Sequence, residues 1–309
     1  MSALRHKKFL STKEVAQFLK VNEKMVYSLI NDKGLPATKV TGKWLFPGRL
    51  VEEWLEAHII NIEPDTRKAA GEGIMLVAGS DDPLLEKTLS LFQKTEEGKV
   101  TVYYANLGSM GGLSSLRRKQ CHIAVSHLLE DNKTGYNFKF AREELDRRPA
   151  IVNFSKREQG ILLAKGNPKN IQQVSDLAQA GISIANRPIG TGTRMLLDYE
   201  IAKSAISTSQ IKGYETEFSR HLDVGLEILS GRVDAAPAIR AVAGILDLDF
   251  LHLRWERFDL LIAKENFFEQ KIQHFISFLL EKPFQQLANS FSGYDLSLSG
   301  KIIYPEEQL

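Results

Sequence analysis

The sequence predicts an α/β protein in two parts: a small helical module with a β-hairpin over residues 1–60, and a larger, two-lobed α/β domain over residues 73–309. The first part carries two short helical patterns joined by a turn and followed by two extended stretches. From residue 74 onward, strand patterns alternate with helical patterns, which favours layers around a largely parallel sheet. Residues 61–72 are polar, contain Pro64 and lack apolar periodicity, so they are predicted to be a linker.

The composition is that of a soluble globular protein. Of the 309 residues, 43% are hydrophobic and 25% are charged. The formal net charge is only +2, but residues 1–60 hold ten Lys and Arg against six Asp and Glu, and the remaining residues hold thirty against thirty-two. The basic excess therefore lies in the first part, as contact with nucleic-acid phosphates would require.

The sequence also bears on location. Cys121 is the one cysteine, so no disulfide can form within the chain, which fits a reducing compartment. No apolar run approaches the roughly twenty residues of a membrane span. The N-terminal MSALRHKKFL lacks the long apolar segment of a signal peptide. We therefore expect a cytoplasmic protein with no membrane partner.

The first part has the pattern of a helix-turn-helix motif. Ser11-Thr12-Lys13-Glu14 is a capping box that starts a helix, and Asn22 can cap a second helix. In the second helix Met25, Val26, Leu29 and Ile30 are predicted to face inward. Two extended stretches, 38–40 and 44–46, form a hairpin, and a third helix starts after Pro47.

This segment resembles the MerR-like and excisionase family of winged helix-turn-helix domains over residues 8–58. The residues that carry the resemblance are STKEVAQFLKVNEKMVYSLI, the GLPA turn and GKWLFPGRLVEEWL. The resemblance implies binding to double-stranded DNA with the second helix in the major groove. It assigns groove contacts to Lys24, Tyr27, Ser28 and Asn31, and wing contacts with phosphates to Lys39, Thr41 and Lys43. The wing is less basic than is usual in the family, which suggests a homodimer or two DNA half-sites.

In the larger domain, strands recurrently end in a Gly/Ser or Gly/Thr turn that opens a helix. Ser80, Ser109 and the Thr191/Thr193 pair each lie at such a junction. Amides at a helix N-terminus favour anions, and hydroxyl groups add hydrogen-bond donors without charge. Together with Arg187, these junctions predict one oxyanion site at the carboxyl ends of the strands. The alternative is that each hydroxyl only caps its helix and that Arg187 forms a surface salt bridge.

The domain resembles the type II periplasmic-binding-protein fold, in the branch near the molybdate- and tungstate-binding proteins, over residues 73–305. The carrying segments include AGSDDPLLEKTLSLF, NLGSMGGLSSLRRKQCHIAVSHLLE and NRPIGTGTRMLLDYEI. The resemblance implies one lobe of residues 73–155 and 256–309 and a second lobe of residues 156–255. Arg187 to Thr193 matches the arginine and hydroxyl turn of the tungstate-binding relatives. By the same resemblance, Ser80 and Ser109 of this chain match two further ligands of those relatives. Ser219 or His221 would supply a fifth contact.

Several other residues carry predictions. Asp81 and Asp82 depart from the hydroxyl-rich turn of the relatives, and two carboxylates there would repel a dianion unless they point away. Arg157 and Glu158 are expected to form an ion pair at the hinge. His127 either lines the cleft or has a purely structural role. The sequence contains no metal-ligand spacing and no catalytic motif, so we expect neither an enzyme nor a cofactor.

The sequence therefore predicts a one-component transcription regulator that binds DNA and senses an oxyanion, most simply molybdate or tungstate. Two alternatives stay open. The same architecture could sense another small anion or an organic acid. The chain could instead be a molybdenum-cofactor-related oxyanion-binding protein whose first module contacts other proteins.

Overall fold

The computed structural model describes residues 8–40, 42–58, 73–130 and 135–305. The chain divides into two compact units, Met1–Ala69 and Ala70–Leu309. The predicted linker over residues 61–72 lies outside the described residues, so its structure stays a prediction.

The first unit combines three helices with a small antiparallel sheet. Its elements are β1 (Phe9–Ser11), α1 (Thr12–Leu19), α2 (Glu23–Lys33), β2 (Thr38–Val40), β3 (Lys43–Pro47) and α3 (Gly48–Ala57). The sheet order is β1-β3-β2. The sequence analysis did not predict β1, because three residues are too few to show a strand periodicity.

The first two helices of this unit, α1 and α2, begin with the predicted caps. Ser11 and Glu14 form the reciprocal capping box, in which Glu14 accepts from the Ser11 amide at 2.8 Å. Asn22 Oδ1 accepts from the Met25 amide at 2.8 Å and so caps α2. Val26 lies in the core of the unit, whereas Met25 is 47% exposed. The prediction that Met25 faces inward is therefore wrong, because the buried face of the helix is formed by Val26, Leu29 and Ile30.

The second unit holds the remaining elements. Its strands are β4 (Ile74–Gly79), β5 (Thr101–Asn106), β6 (Ile123–Ser126), β7 (Ala150–Leu163), β8 (Ala235–Ile239), β9 (Asp249–Ile262) and β10 (Tyr294–Asp295). Its helices are α4 (Pro83–Thr95), α5 (Gly108–Arg117), α6 (Phe138–Glu144), α7 (Gly192–Lys203), α8 (His221–Leu229), α9 (Arg240–Leu246), α10 (Lys264–Phe267), α11 (Gln270–Phe278) and α12 (Lys282–Ala288).

The sheet of this unit is mixed. The strand order is β10-β7-β9-β6-β4-β5, and β8 pairs with β7. Among the paired strands of the described residues, those of β4 with β5 and of β4 with β6 are parallel, so the predicted parallel sheet is confirmed in that part; the second lobe adds isolated parallel bridges. The predicted strand over residues 181–185 forms only isolated bridges, because the Asp234 carboxylate accepts from the Ser183 amide that a ladder would use.

Two long antiparallel strands join the two lobes. β7 and β9 pair from Ala150↔Ile262 to Leu163↔Asp249, with irregularities at Asn153/Ser155 and Gln159/Gly160. One end of this ribbon packs in the first lobe, whose core includes Phe92, Phe154, Phe258 and Phe275. The other end packs in the second lobe, among residues such as Ile161 and Leu197. Apolar burial on each side fixes the lobes separately, and the polar middle of the ribbon lies between them.

Within the described part of the chain, no helix has both the length and the apolar character needed to cross a bilayer.

Gly79 is the last residue of β4 and lets this strand end in close contact with β5 and β6. Its φ is +136°, and a Cβ placed there would lie 2.2 Å from the Val125 carbonyl oxygen. The same close approach lets the Ser80 amide donate to Val125 O at 2.9 Å, and the Leu107 amide to Gly79 O at 3.0 Å. Gly79 thereby brings the ends of β4, β5 and β6 together where Ser80 begins the predicted site.

We expect Gly79→Ala to lower the free energy of unfolding by about 3 kcal/mol or more, since the added methyl meets a backbone carbonyl held in the sheet. The matched control is Gly98→Ala, whose φ is +83° but which has nothing within 4 Å of an added Cβ. The control should lose only about 1 kcal/mol, for the backbone conformation. Urea unfolding of both variants measures the difference, and equal losses would contradict the steric explanation.

Candidate ligand-binding cleft and DNA-binding surface

The structure brings most of the predicted oxyanion ligands together between the two lobes. Ser80 follows β4, and Ser109 lies in the first turn of α5. Arg187 precedes α7, Thr193 lies in the first turn of that helix, and His221 begins α8. All five side chains are buried, each 2% exposed or less. The first amides of a helix lack intrahelical partners, so three helix N-termini contribute donors to this cleft.

Two predicted ligands have different surroundings. The Thr191 hydroxyl caps α7: its Oγ1 accepts from the Arg194 amide at 3.3 Å and donates to Pro188 O at 2.8 Å. Ser219 is exposed, and its carbonyl oxygen accepts from Asn106 Nδ2 at 3.0 Å. Of the two candidates for the fifth contact, His221 is therefore the buried one.

The cleft is closed by contacts between the lobes. The His221 amide of the second lobe donates to Asp81 Oδ2 of the first. Arg187 Nη1 lies 3.7 Å from the same oxygen. At the cleft edge, Arg220 Nη2 donates to Glu86 Oε1 at 3.0 Å. Asp81 therefore occupies the position in front of Arg187 and α8 that the sequence analysis assigned to the ligand.

The two neighbouring aspartates differ in direction. Asp82 points away from the cleft, where it caps α4 through the Leu85 amide at 2.8 Å and accepts from Arg157 and Tyr294. Asp81 faces Arg187. Burial raises the pKa of Asp81, and Arg187 and the His221 amide only partly oppose that rise. One of the two predicted repulsive carboxylates therefore does lie in the site.

Arg157 organises the floor of the cleft, and its partners differ from the predicted one, Glu158. Its fully buried guanidinium donates to Asp82 Oδ2 at 2.8 Å and to Glu256 Oε1 at 2.6 Å. Glu158 instead pairs with Arg240 and with His252 at 2.7 Å. The predicted Arg157–Glu158 ion pair is wrong, because successive side chains of a strand point to opposite faces.

Glu256 connects this floor to the second lobe. Its carboxylate accepts from Gln159 Nε2 at 2.9 Å, and the same amide nitrogen donates to Thr193 Oγ1 at 2.9 Å. His127 Nδ1 lies 2.8 Å from Glu256 Oε2. Burial raises the pKa of Glu256, but His127 and Arg157 outweigh it and hold that pKa below its ordinary value. The sequence did not single out Gln159 and Glu256, because each lies among several other polar residues of its strand and no local signal distinguishes it from them.

Several buried nitrogen atoms in the cleft have no hydrogen-bond partner among the described residues. They include Nε and Nη1 of Arg187, which are donors, together with Nε2 of His127 and both ring nitrogens of His221, of which a neutral ring offers one as donor and one as acceptor. Burial lowers the pKa of Arg187 to about 10, so its guanidinium stays charged at neutral pH. An unpartnered buried polar group costs free energy, and so many in one place indicate a site built for a polar ligand. No group of three or more metal-ligating side chains occurs in the described ranges.

The predicted groove contacts lie on the exposed side of α2. Lys24, Tyr27, Ser28 and Asn31 are all exposed. Ser28 Oγ already donates to Asp32 Oδ2 at 2.6 Å, so this hydroxyl would have to exchange its partner to reach DNA. The helix therefore offers a mixed polar surface with one lysine at its start.

The hairpin offers two lysines. Lys39 and Lys43 are exposed on β2 and β3, and the Lys39 ammonium lies 5.6 Å from the centroid of the Trp44 ring. Thr41, the third predicted wing contact, lies outside the described residues.

Both units match known domain families. Residues 9–58 match a helix-turn-helix domain, and residues 90–280 match the PBP superfamily domain. The uncharacterised protein YvgK of Bacillus subtilis (strain 168) is 29% identical over 304 residues, which are 94% of this chain and 96% of that protein.

Solved structures resemble the second unit. A proposed phosphate ABC transporter substrate-binding protein from Clostridium perfringens, solved with bound phosphate, gives a TM-score of 0.53 at 14% identity, over 75% of this chain and all of that one. The tungstate ABC transporter of Geobacter sulfurreducens gives 0.53 at 14% identity, over 71% of this chain and 99% of that one. At such identities the likeness concerns the fold. Because the family model covers residues 90–280, the chain belongs to the PBP (periplasmic-binding-protein) superfamily, and it joins a domain of that superfamily to a helix-turn-helix domain.

Proposed function

We propose that the protein is a one-component transcription regulator whose PBP domain senses a small oxyanion, with molybdate and tungstate as the first candidates. The observation that carries the ligand class is the set of buried nitrogens without partners: the guanidinium donors Nε and Nη1 of Arg187, Nε2 of His127 and the two ring nitrogens of His221. A compact anion with several acceptor oxygens would satisfy donors that arrive from several directions.

Both lobes contribute to this site. Ser80 and Ser109 belong to the first lobe, and Arg187, Thr193 and His221 belong to the second. An anion that contacts both favours the closed arrangement only by its greater affinity for that state. In the proposed mechanism, the change between open and closed lobes reaches the DNA-binding module through residues 61–72. A homodimer would then present its two α2 helices to DNA half-sites with altered spacing.

One observation favours a second class of ligand. Asp81 lies beside Arg187 in the cleft, and a carboxylate there accepts a hydrogen bond from a ligand that carries a hydroxyl or an ammonium group. An organic acid with such a donor is therefore the alternative ligand for the same regulator. A molybdenum-cofactor-related oxyanion-binding protein is the alternative in which the first module does not bind DNA.

Calorimetric titration of the full chain with tungstate, molybdate, sulfate and phosphate in one buffer tests the oxyanion assignment. We expect the first two to bind most tightly. Arg187→Gln should weaken that binding by at least about 100-fold, because the variant removes the buried positive charge that attracts the anion.

The matched control is Arg232→Gln. This variant removes an exposed arginine of the second unit that follows α8 and pairs with Glu227. This variant should bind like the unaltered protein. Full affinity in Arg187→Gln would contradict the site. If the unaltered protein gave no binding heat with any of the four anions, the oxyanion assignment would be contradicted. The DNA-binding assignment would still stand, and organic acids would be titrated next.

DNA binding is tested with Lys24→Glu combined with Lys43→Glu. Lys24 is assigned to the major groove and Lys43 to a phosphate. Because the double variant reverses both positive charges, it should bind a random-sequence duplex at least about tenfold more weakly at low salt, with a shallower salt dependence. Fluorescence anisotropy measures both quantities.

Lys94→Glu combined with Lys282→Glu makes the same charge change on exposed lysines of the second unit and serves as the control. The control should retain most of the affinity. Equal weakening in both double variants would mean that total charge, and not the helix-turn-helix surface, determines binding. Unchanged affinity in the Lys24/Lys43 variant would favour a module that contacts protein.

A further inference from the structure

The fixed charges of the closed cleft do not favour an anion as they stand. Two arginines, Arg157 and Arg187, face three carboxylates, Asp81, Asp82 and Glu256. Asp82 and Glu256 both pair with Arg157, and Asp81 lies opposite Arg187. With both histidines neutral, this cluster carries one net negative charge. A dianion placed there would meet an unfavourable field unless positive charge is added or negative charge is removed.

Three side chains in the cleft can take up a proton. Both described contacts of the Asp81 carboxylate, with Arg187 and with the His221 amide, are made by Oδ2, which leaves Oδ1 able to carry a proton towards a ligand. The His221 ring has two nitrogens without partners. His127 has one, since Nδ1 is engaged by Glu256. All three side chains are buried where the two lobes meet.

We propose that a fully ionised oxyanion enters this cleft together with at least one proton, which Asp81, His221 or His127 takes up. The inference rests on the oxyanion-sensing function proposed above and specifies how that site accepts its ligand. It also distinguishes ligands by their own protonation. Tungstate, molybdate and sulfate hold no proton near neutral pH, whereas monohydrogen phosphate brings one with it.

The charged surroundings of these groups set the direction of the effect. Burial lowers the pKa of His221, as do the nearby Arg187, Arg157 and His127. Burial also lowers the pKa of His127, against the attraction of Glu256. Both shifts favour the neutral form of the ring at neutral pH before an anion arrives. The charged and titratable groups that face the three proton acceptors are Arg157, Arg187, Asp82, Asp223, Glu86, Glu256 and Tyr104.

A bound dianion raises the pKa of every group in contact with it, because it stabilises the protonated form. Protonation then accompanies binding wherever the pH lies between the pKa of the free cleft and that of the complex. In that interval one proton makes the affinity increase about tenfold for each pH unit that the solution is lowered, and the gain is lost as the pH rises through the pKa of the complex.

The test is calorimetry of the full chain with tungstate at one pH in two buffers that differ in ionisation enthalpy, followed by a pH series from 7 to 8.5. We expect the apparent heat to change with the buffer by an amount that corresponds to uptake of about one proton, and the affinity to fall as the pH rises. Sulfate should behave in the same way. Heat that is independent of the buffer, with an affinity that is flat across the series, would overturn the proposal.

Variants locate the proton. Asp81→Asn removes the negative charge opposite Arg187, so we expect tungstate to bind at least tenfold more tightly at pH 8, with a weaker pH dependence. His221→Gln and His127→Gln each test one ring. Asp247→Asn, which neutralises an exposed carboxylate paired with Lys165, is the control and should leave both quantities unchanged.

The outcomes separate the two proposals. Proton uptake that disappears in one of the three cleft variants supports the inference. Since one of the three groups can replace another, uptake that persists in the variant that combines all three substitutions places the proton elsewhere and overturns the inference. Tungstate that binds without proton uptake overturns the inference and leaves the oxyanion-sensing function intact. Absence of binding by any of the four oxyanions overturns both.

Discussion

The guanidinium of Arg157 is the contact on which the rest of the cleft depends. It lies fully buried in the middle of β7 and holds Asp82 at the start of α4 and Glu256 on β9. Glu256 in turn engages Gln159 and His127. Loss of one member of such a buried group leaves an uncompensated charge, which typically costs about 3–5 kcal/mol. The strand ends, the hinge and the lobe faces therefore share one set of ion pairs.

That arrangement explains why the cleft is polar and yet closed. Arg157 neutralises carboxylates that would otherwise repel an anion, and it leaves Arg187 as the arginine without a hydrogen-bonded acceptor in front of it. Asp81 lies opposite Arg187 and accepts from the amide at the start of α8. The carboxylate thus contacts the second lobe in the manner proposed for the ligand.

Local signals predicted much of this structure. The capping box at Ser11 and the Asn22 cap mark the starts of α1 and α2, because caps are satisfied by residues three positions away. The turns before α5 and α7 were found for the same reason, through glycines and hydroxyl groups adjacent in sequence. These signals placed Ser80 at the end of a strand and Ser109 and Thr193 at the starts of helices, where the structure has them, whereas Arg187 follows a segment that forms only isolated bridges.

The errors concern side-chain direction and distant partners. Nothing in the local sequence distinguishes Asp81 from Asp82, yet one faces the cleft and the other caps a helix. The partners of Arg157 are 75 and 99 residues away, so adjacency to Glu158 misled the prediction. The mixed sheet has the same cause, since the pairing of β7 with β9 depends on the tertiary fold and not on a local pattern. Such long-range contacts also decide which polar atoms remain without partners.

A crystal of the full chain grown with tungstate and measured at the tungsten absorption edge tests the central claim most directly. The account predicts one strong anomalous peak between the lobes, within hydrogen-bonding reach of Arg187, the His221 ring and the first turns of α5 and α7. A peak at another position in the second unit, or no peak in the cleft at a saturating tungstate concentration, would contradict it.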